Sequence, residues 1–503
     1  VSTCTPTAEQ AAVIDACRTG QGLVVEAAAG AGKTSTLRMA ASGMRGRVLY
    51  LAYNKAAAVE AKASFPSHVR CSTVHALAFG AVGREYAGRL RAPRQSARET
   101  ARRLDLRDEV PVGSSMVLTP LHLARFALGT VDRFCQSADH DLDSRHVPLM
   151  PGMPTPVELH RLHGEDRAVW AQERRARDDL VAAVLPVARR AWADLQDPRG
   201  TKIRYQHDHY LKQWQLTAPE LPYDVVMLDE AQDSNPLTAS LVTTQQCQRI
   251  AIGDGCQQLY GWRGAVDALA SWPAETRLYL SQSWRFGERV ANEANKWLSI
   301  LGTDLRVRGN PALPSTIGPV PMPDAVLCRT NAGAVARVLA ALDAGQRPAL
   351  VGGAGELVRL AEAAAELKSG RRTNHPELFA FTSWAQVQEY CEDGDGGSDL
   401  RVFVKLIDDY GPDQIIVGLS RAVDEHRADV VVSTAHKSKG REWARVAIQD
   451  DFTAPKKDDD GNPGKVQRAD AMLAYVAVTR AKLALDRGGL AWVDRYVPEL
   501  AVA

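Results

Sequence analysis

The sequence predicts an α/β protein with two parallel-sheet cores, and three observations carry the prediction. Apolar runs of strand length alternate with helix-like stretches, the pattern of a parallel sheet covered by helices on both faces. The first run ends in a small-residue turn, Ala27-Ala28-Ala29-Gly30-Ala31-Gly32-Lys33-Thr34, laid out as a phosphate-binding loop. A second series of strand-length runs starts at residue 277. With 503 residues the chain is too long for one core, so three or four domain-sized units are expected.

The elements follow in order. Residues 6–19 read as a helix in which Thr7 and Gln10 form a capping box; the alternative for Gln10 is an amide aimed at an adenine edge. In the phosphate loop, Gly30 and Gly32 let backbone N–H groups converge on one point. Lys33 adds a charge for the β- and γ-phosphates, and Thr34 offers a hydroxyl to Mg²⁺. The strict pattern has Gly where this chain has Ala27, so the loop is a variant. Val48–Tyr53 and Val69–Thr73 form the next strands. Ligands gather at the C-terminal edge of such sheets, where Asn54, Lys55, Thr73 and His75 are expected.

From residue 81 the sequence turns helical and Arg-rich (Arg84, Arg89, Arg91, Arg94, Arg98, Arg102, Arg103, Arg107), either a solvated face or a track for a nucleic-acid backbone. A loop over Asp139–Pro156 precedes a long helix from about Glu165 to Leu195. His207-x-His209 is expected on a strand as an ordinary surface pair. The strand Asp224–Leu228 delivers Asp229 and Glu230 to the same edge, one to hold Mg²⁺, the other to take a proton from attacking water; helix-capping charge is the alternative. After the strand Arg249–Asp254 come Gln257, Tyr260, Trp262 and Arg263, suited to base stacking beside a polar sensor, with core aromatics as the alternative. The second series comprises Arg277–Leu280, Ala325–Cys328, Pro348–Val351, Asp429–Val432 and Arg445–Ile448. An interruption at 369–424 holds Asp393-Gly-Asp395-Gly-Gly, which lacks two ligands of a calcium loop and reads as a turn.

Sixty-one Lys and Arg against sixty Asp and Glu leave almost no net charge, so nucleic-acid binding must rest on local patches. The eight cysteines are scattered without a Cys-x-x-Cys pair, which argues against a zinc site or disulfide framework and fits a reducing compartment. With no bilayer-spanning run and no signal-peptide pattern, the expected location is the cytoplasm, away from membranes.

Taken together, these stretches resemble a superfamily 1 helicase of the UvrD/Rep type, with the motifs in family order. Ala27–Thr34 is similar to motif I, Asn54-Lys55 to motif Ia, Thr73-Val-His75 to the segment after it, and Asp229-Glu-Ala-Gln232 to motif II. Gly253-Asp254 through Arg263-Gly264-Ala265 resembles motif III, Gln282-Ser-Trp284-Arg285 motif IV, Thr434-Ala-His436 through Trp443 motif V, and Tyr475–Ala481 motif VI. Gln-Ser-Trp-Arg-Phe-Gly and Lys-Gly-Arg-Glu-Trp look closest to the helicase region of F-box DNA helicases.

The resemblance implies two RecA-like cores that bind ATP and Mg²⁺ and close and open on hydrolysis, drawing single-stranded DNA through, typically 3′ to 5′. The first core is expected at 1–80 and 201–276, a helical insertion at 81–200, the second core at 277–368 and 425–503, and a short insertion at 369–424. The resemblance makes Lys33, Asp229, Glu230, Gln257, Arg285 and Arg480 catalytic, the two arginines as fingers. Gln10, Ala27, Ala28, Gly30, Ala31, Gly32, Lys33, Thr34, Ser35, Trp284, Gly440 and Glu442 would contact the nucleotide, with Thr34 and Asp229 on the metal. Asn54, Lys55, Thr73, His75, Tyr260, Trp262, Arg263, Thr434 and His436 would contact DNA. Partners would be single strands and single-strand/duplex junctions, met by a monomeric motor serving repair or recombination, with RNA open as an alternative. Ser35 stands where many relatives place an adenine-covering Arg, and the second insertion is shorter than usual. The alternatives are a single-strand translocase that strips proteins and unwinds weakly, and a nucleotide-dependent binding module.

Overall fold

The computed structural model describes residues 5–93, 95–114, 116–150, 153–259, 268–373, 375, 378, 381–392, 398–457, 461 and 463–497. The chain is α/β, with two six-stranded sheets. The first contains β1 (Leu23–Ala27), β2 (Val48–Leu51), β3 (Val69–Ser72), β6 (Val225–Leu228), β7 (Gln248–Gly253) and β8 (Thr276–Leu280), ordered β3-β2-β6-β7-β1-β8. A hairpin of β4 (Val110–Val112) and β5 (Met116–Leu118) lies between its third and fourth members in sequence. The second sheet contains β9 (Thr316–Ile317), β10 (Ala325–Cys328), β11 (Pro348–Leu350), β12 (Val430–Thr434), β13 (Trp443–Ile448) and β14 (Ala481–Asp486), ordered β11-β12-β10-β13-β14-β9.

Two compact units emerge. The first comprises Val1–Val25, Thr34–Gly255 and Tyr260–Leu278; the second comprises Glu26–Lys33, Cys256–Leu259 and Tyr279–Ala503. The phosphate loop through Lys33 therefore groups with the second unit and Thr34 with the first.

In the first unit, β2 pairs in parallel with β3 and β6, and β6 with β7. All four residues of β2 and of β6 are buried. Covered on both faces, such strands read as continuous apolar runs, and each fully buried Val or Leu contributes about 1.5–3 kcal/mol. The parallel register brings Asn54, Thr73 and Asp229 off the same sheet edge. The long helix runs Arg167–Gln196, capped by the Asp166 carboxylate on Ala168 N–H and Val169 N–H. It buries Leu180, Val184, Ala188 and Ala191, spaced to make one apolar stripe, and Trp192 meets Phe134 edge-on at 5.4 Å.

Three local expectations change. The run at 277–280 belongs to β8, an edge strand of the first sheet: Thr276 N–H donates to Gly22 O, and Ala28 N–H to Leu280 O. The β4–β5 hairpin interrupts the insertion at 81–200 that was expected to be helical. His207 and His209 lie on a helix, His207–Leu216, not a strand. His209 sits at the third helical position, where its Nδ1 accepts the Gln206 N–H at 3.0 Å, a capping-box contact unavailable to an extended chain.

His209 is 2% exposed, and burial holds its imidazole down to about 4. Between about 6.5 and about 4 the unfolded chain binds the extra proton, so stability is full above that window and falls as pH drops through it. The expected loss is on the order of 3 kcal/mol. His209→Gln, which keeps an acceptor for the cap, is expected to remove most of that pH dependence. Urea unfolding of both proteins at neutral and acid pH measures it; parallel pH profiles would refute this assignment.

In the second unit, β12 pairs in parallel with β10 and β11, β13 with β10 and β14, and β14 with β9. The short edge strand β9 and its neighbour β14 were not foreseen. The segments Trp384–Glu392, Ser398–Tyr410 and Pro412–Ser420 are helices. Trp384, Val387, Phe403, Ile407 and Ile415 share one apolar core with Val326 of β10 and Val432 of β12. At the exit of β10, Asp451 accepts the N–H groups of Arg329 (2.8 Å) and Thr330 (2.9 Å) and the Thr330 hydroxyl (3.1 Å) at the start of helix Asn331–Asp343. Among the described residues no helix is long and apolar enough to cross a membrane.

Candidate functional site

In the first unit the site is built on the exit of β6. Asp229 continues the ladder, its N–H donating to Leu51 O of β2 at 3.0 Å, so its carboxylate is carried by the sheet. Oδ1 accepts the Glu230 N–H at 2.8 Å; Oδ2 accepts the Thr34 hydroxyl at 3.0 Å and the Tyr50 hydroxyl at 2.5 Å. Burial, followed by the charge of Asp229, pushes the Tyr50 phenol well above its usual range, so it keeps its proton and remains a donor.

These oxygens fit a divalent cation. Two oxygens bound side by side on Mg²⁺ at roughly 2.0–2.1 Å are about 2.9 Å apart, and Thr34 Oγ1 and Asp229 Oδ2 are 3.0 Å apart. Among the described residues no cluster of three or more His, Cys, Asp or Glu could hold an ion alone. Mg²⁺ takes most of its ligands from water and phosphate.

Glu230 adopts a left-handed backbone, φ 51°, uncommon for a non-glycine residue and concentrated at functional sites. Its Oε2 accepts the Gln232 amide at 2.6 Å. Gln232 is fully buried, and its Oε1 accepts Asp254 N–H at 3.1 Å, tying the β6 exit to the β7 exit. A Cβ on Gly253 would lie 2.1 Å from that Oε1, which explains a glycine there.

In the second unit, Gly30 and Gly32 hold the phosphate loop at φ 73° and 78°. A Cβ on Gly30 would lie 2.7 Å from Arg285 Cβ and Ser283 Oγ. Ala29 N–H donates to the Tyr475 hydroxyl at 3.1 Å, and Trp284 N–H to Gly30 O at 2.8 Å, while the Trp284 side chain is exposed. Arg480 is 1% exposed; it donates to Gln257 Oε1 (3.0 Å), Thr479 Oγ1 (3.1 Å) and Val476 O (2.9 Å). Arg285 pairs with Glu442 at 2.7 Å and donates to Thr479 O at 3.1 Å, so both guanidinium groups converge on Thr479. Burial would raise the Glu442 carboxyl, but Lys482 and Arg285 outweigh it and hold the group below its usual value. Gly440 lies in the turn before Glu442 at φ 81°.

The UvrD/REP helicase N-terminal domain family matches residues 7–270, more than half of the chain. The chain belongs to the UvrD/REP helicase family. It is similar to F-box DNA helicase 1 of Gallus gallus, 30% identical over 504 residues, covering 93% of this chain and 47% of that protein. It is also similar to F-box DNA helicase protein 1 of Schizosaccharomyces pombe, 28% identical over 524 residues, covering 95% and 56% respectively. The chain thus spans about half the length of the curated relatives it matches.

Within this UvrD/REP helicase, the other expected residues fall as follows. Gln10 makes the capping box with Thr7, and its Nε2 also donates to Thr36 Oγ1 at 3.2 Å. Ser35 is exposed on the first turn of helix Lys33–Ser42, and Ala27, Ala28 and Ala31 are buried. Asn54 and Thr73 cap the helices after β2 and β3; Lys55 is exposed. His75 pairs with Asp208 at 3.0 Å. Thr434 is buried and accepts Lys437 N–H; His436 is half-buried in the next turn. Tyr260, Trp262 and Arg263, like Arg94 and the Asp393–Gly397 turn, lie outside the described residues. The Arg-rich stretch divides. Arg89 is structural, donating to Asp194, Asp197 O and Ile203 O, whereas Arg98 and Arg102 are exposed.

Sequence reasoning did not reach Tyr50 or Lys482 at these sites, and it placed Gln232, Lys439 and Tyr475 inside motifs II, V and VI without giving them a role. Lys439 reaches Gln257 O at 2.5 Å, and Lys482 reaches Glu442 at 2.8 Å. Only Tyr50 carried a usable signal: a phenol within the buried run Val48–Leu51 needs a polar partner.

Proposed function

We propose that this chain is a Mg²⁺- and ATP-dependent motor that translocates on single-stranded DNA, 3′ to 5′, and unwinds duplex at junctions, acting as a monomer. The observation that carries the nucleotide chemistry is Thr34 Oγ1 and Asp229 Oδ2 set 3.0 Å apart, with Glu230 next in the chain. Family membership and the DNA helicases it resembles support the DNA substrate. In this reading Mg²⁺ would be held by Thr34 and Asp229, where it would neutralise phosphate charge. Glu230 takes the proton of the attacking water, held ready by its bond from Gln232. Lys33 and the loop from Ala27 to Gly32 bind the phosphates, Gln257 senses the γ-phosphate, and Arg285 and Arg480 spread transition-state charge.

Gln10 retains one N–H and one lone pair for adenine beyond its present bonds. Trp284 stacks on the base, Ser35 lies beside it, and Gly440 lets Glu442 reach the ribose. Asn54, Lys55, Thr73, His75, Thr434 and His436 contact DNA, with Tyr260, Trp262 and Arg263 as stacking residues. The segments 1–80 with 201–276 and 277–368 with 425–503 are proposed as the two motor cores, the β8 run at 277–280 passing to the first.

One observation favours the second reading, a translocase that strips proteins and unwinds weakly. The helices within 369–424 bury Trp384, Phe403 and Ile407 in the second unit's own core. ATPase and strand-displacement assays on 3′-tailed, 5′-tailed and blunt duplexes test both. Displacement only from the 3′-tailed substrate is expected; hydrolysis without displacement selects the translocase, and DNA-independent turnover or none refutes the motor. Competition between matched DNA and RNA strands decides the sugar.

A further inference from the structure

We propose that Tyr50 is a positioning residue for nucleotide hydrolysis: its hydroxyl fixes the Asp229 carboxylate in the orientation that the cation of a bound nucleotide requires. The inference rests on the hydrolase reading above and concerns a residue outside every motif used to reach it.

A carboxylate has about four lone-pair positions. At Asp229, Oδ2 accepts both the Tyr50 and Thr34 hydroxyls, and Oδ1 accepts the Glu230 N–H. These donors differ in what a cation does to them. Thr34 must lend its oxygen to the metal, and Glu230 sits on a left-handed turn at φ 51°. Tyr50 has neither demand. Its ring is 1% exposed and lies 4.6 Å from the Phe65 ring. Its backbone is fixed in register with Cys71 of β3 and Met227 of β6. Tyr50 is therefore the rigid donor of the set, and a hydroxyl that donates to an anionic oxygen makes a charge-assisted bond. Mg²⁺ demands near-ideal octahedral geometry, so a carboxylate free to rotate about its last bond is a poorer partner. Removing such an outer-shell hydrogen bond commonly costs 10- to 100-fold in metal affinity or activity.

Tyr50→Phe keeps the ring and removes one oxygen. Its kcat for DNA-stimulated ATP hydrolysis is expected to fall on the order of tenfold, with KM for ATP within about twofold. The readout independent of turnover is Mn²⁺ affinity, by electron paramagnetic resonance, in the complex with a non-hydrolysable ATP analogue. It is expected to weaken by about tenfold in Tyr50→Phe and to be unaffected by the same change in an Asp229→Asn background, because the two act as a unit. Thermal unfolding checks that the fold is kept. A Mn²⁺ titration of Tyr50→Phe superimposable on wild type, or an equal loss in the Asp229→Asn background, overturns the proposal and leaves the hydrolase reading standing. Absence of metal-dependent nucleotide binding by the wild type overturns both.

Discussion

Lys33→Ala is expected to abolish DNA-stimulated ATP hydrolysis, lowering kcat by at least about 10²–10³-fold, while leaving the fold intact. Lys33 opens the helix Lys33–Ser42 and is only half-buried, and Ala is the best helix former, so the backbone loses nothing. On the proposed reading, the variant loses a cation where phosphate charge develops. Phosphate release with saturating single-stranded DNA measures the effect, and circular dichroism reports the fold. Full turnover by the variant would end the motor assignment.

Removing either guanidinium that meets Thr479 is expected to lower kcat by roughly 10³–10⁵-fold, with nucleotide binding kept. The two differ in stability. Arg285 is partly exposed and shares Glu442 with Lys482, so Arg285→Ala should melt close to wild type. Arg480 is 1% exposed and satisfies Gln257, Thr479 and Val476, so Arg480→Ala leaves buried acceptors unpaired and should also lower the melting temperature. Single-turnover hydrolysis with parallel melts separates these outcomes. Near-normal turnover in both variants would remove the arginine fingers from the proposed mechanism.

The strands were legible because a buried parallel strand leaves a short apolar run bounded by polar turns. Asp229 follows β6 for that reason, as Asn54 and Thr73 follow β2 and β3. The long helix showed through its stripe, and Thr7–Gln10 through its cap. Strand order left no such trace. That β8 lies beside β1 depends on hydrogen bonds between residues some 250 positions apart. His207 and His209 were misread because two alternating histidines suit a strand, whereas the Gln206–His209 cap and burial of the next turn select a helix. Among site residues, those in glycine-bearing or acidic turns were visible. The contacts that Tyr475 and Lys482 make with Ala29 and Glu442, residues distant in sequence, were not.

The Asp451 carboxylate, held on the amides of Arg329 and Thr330 just before helix Asn331–Asp343, has a consequence for stoichiometry. A helix that starts directly after a sheet strand is the natural seat of a phosphate, because its unpaired N–H groups and dipole favour an anion. In the second unit that seat, at the exit of β10, is filled by an anion on the chain itself, and Gly333 leaves room for it where a Cβ would lie 2.1 Å from Asp451 Oδ2. A tethered carboxylate competes at a high effective concentration against any free nucleotide. On the motor reading proposed above, one nucleotide per polypeptide is therefore expected, so each turnover event would supply a single quantum of chemical energy.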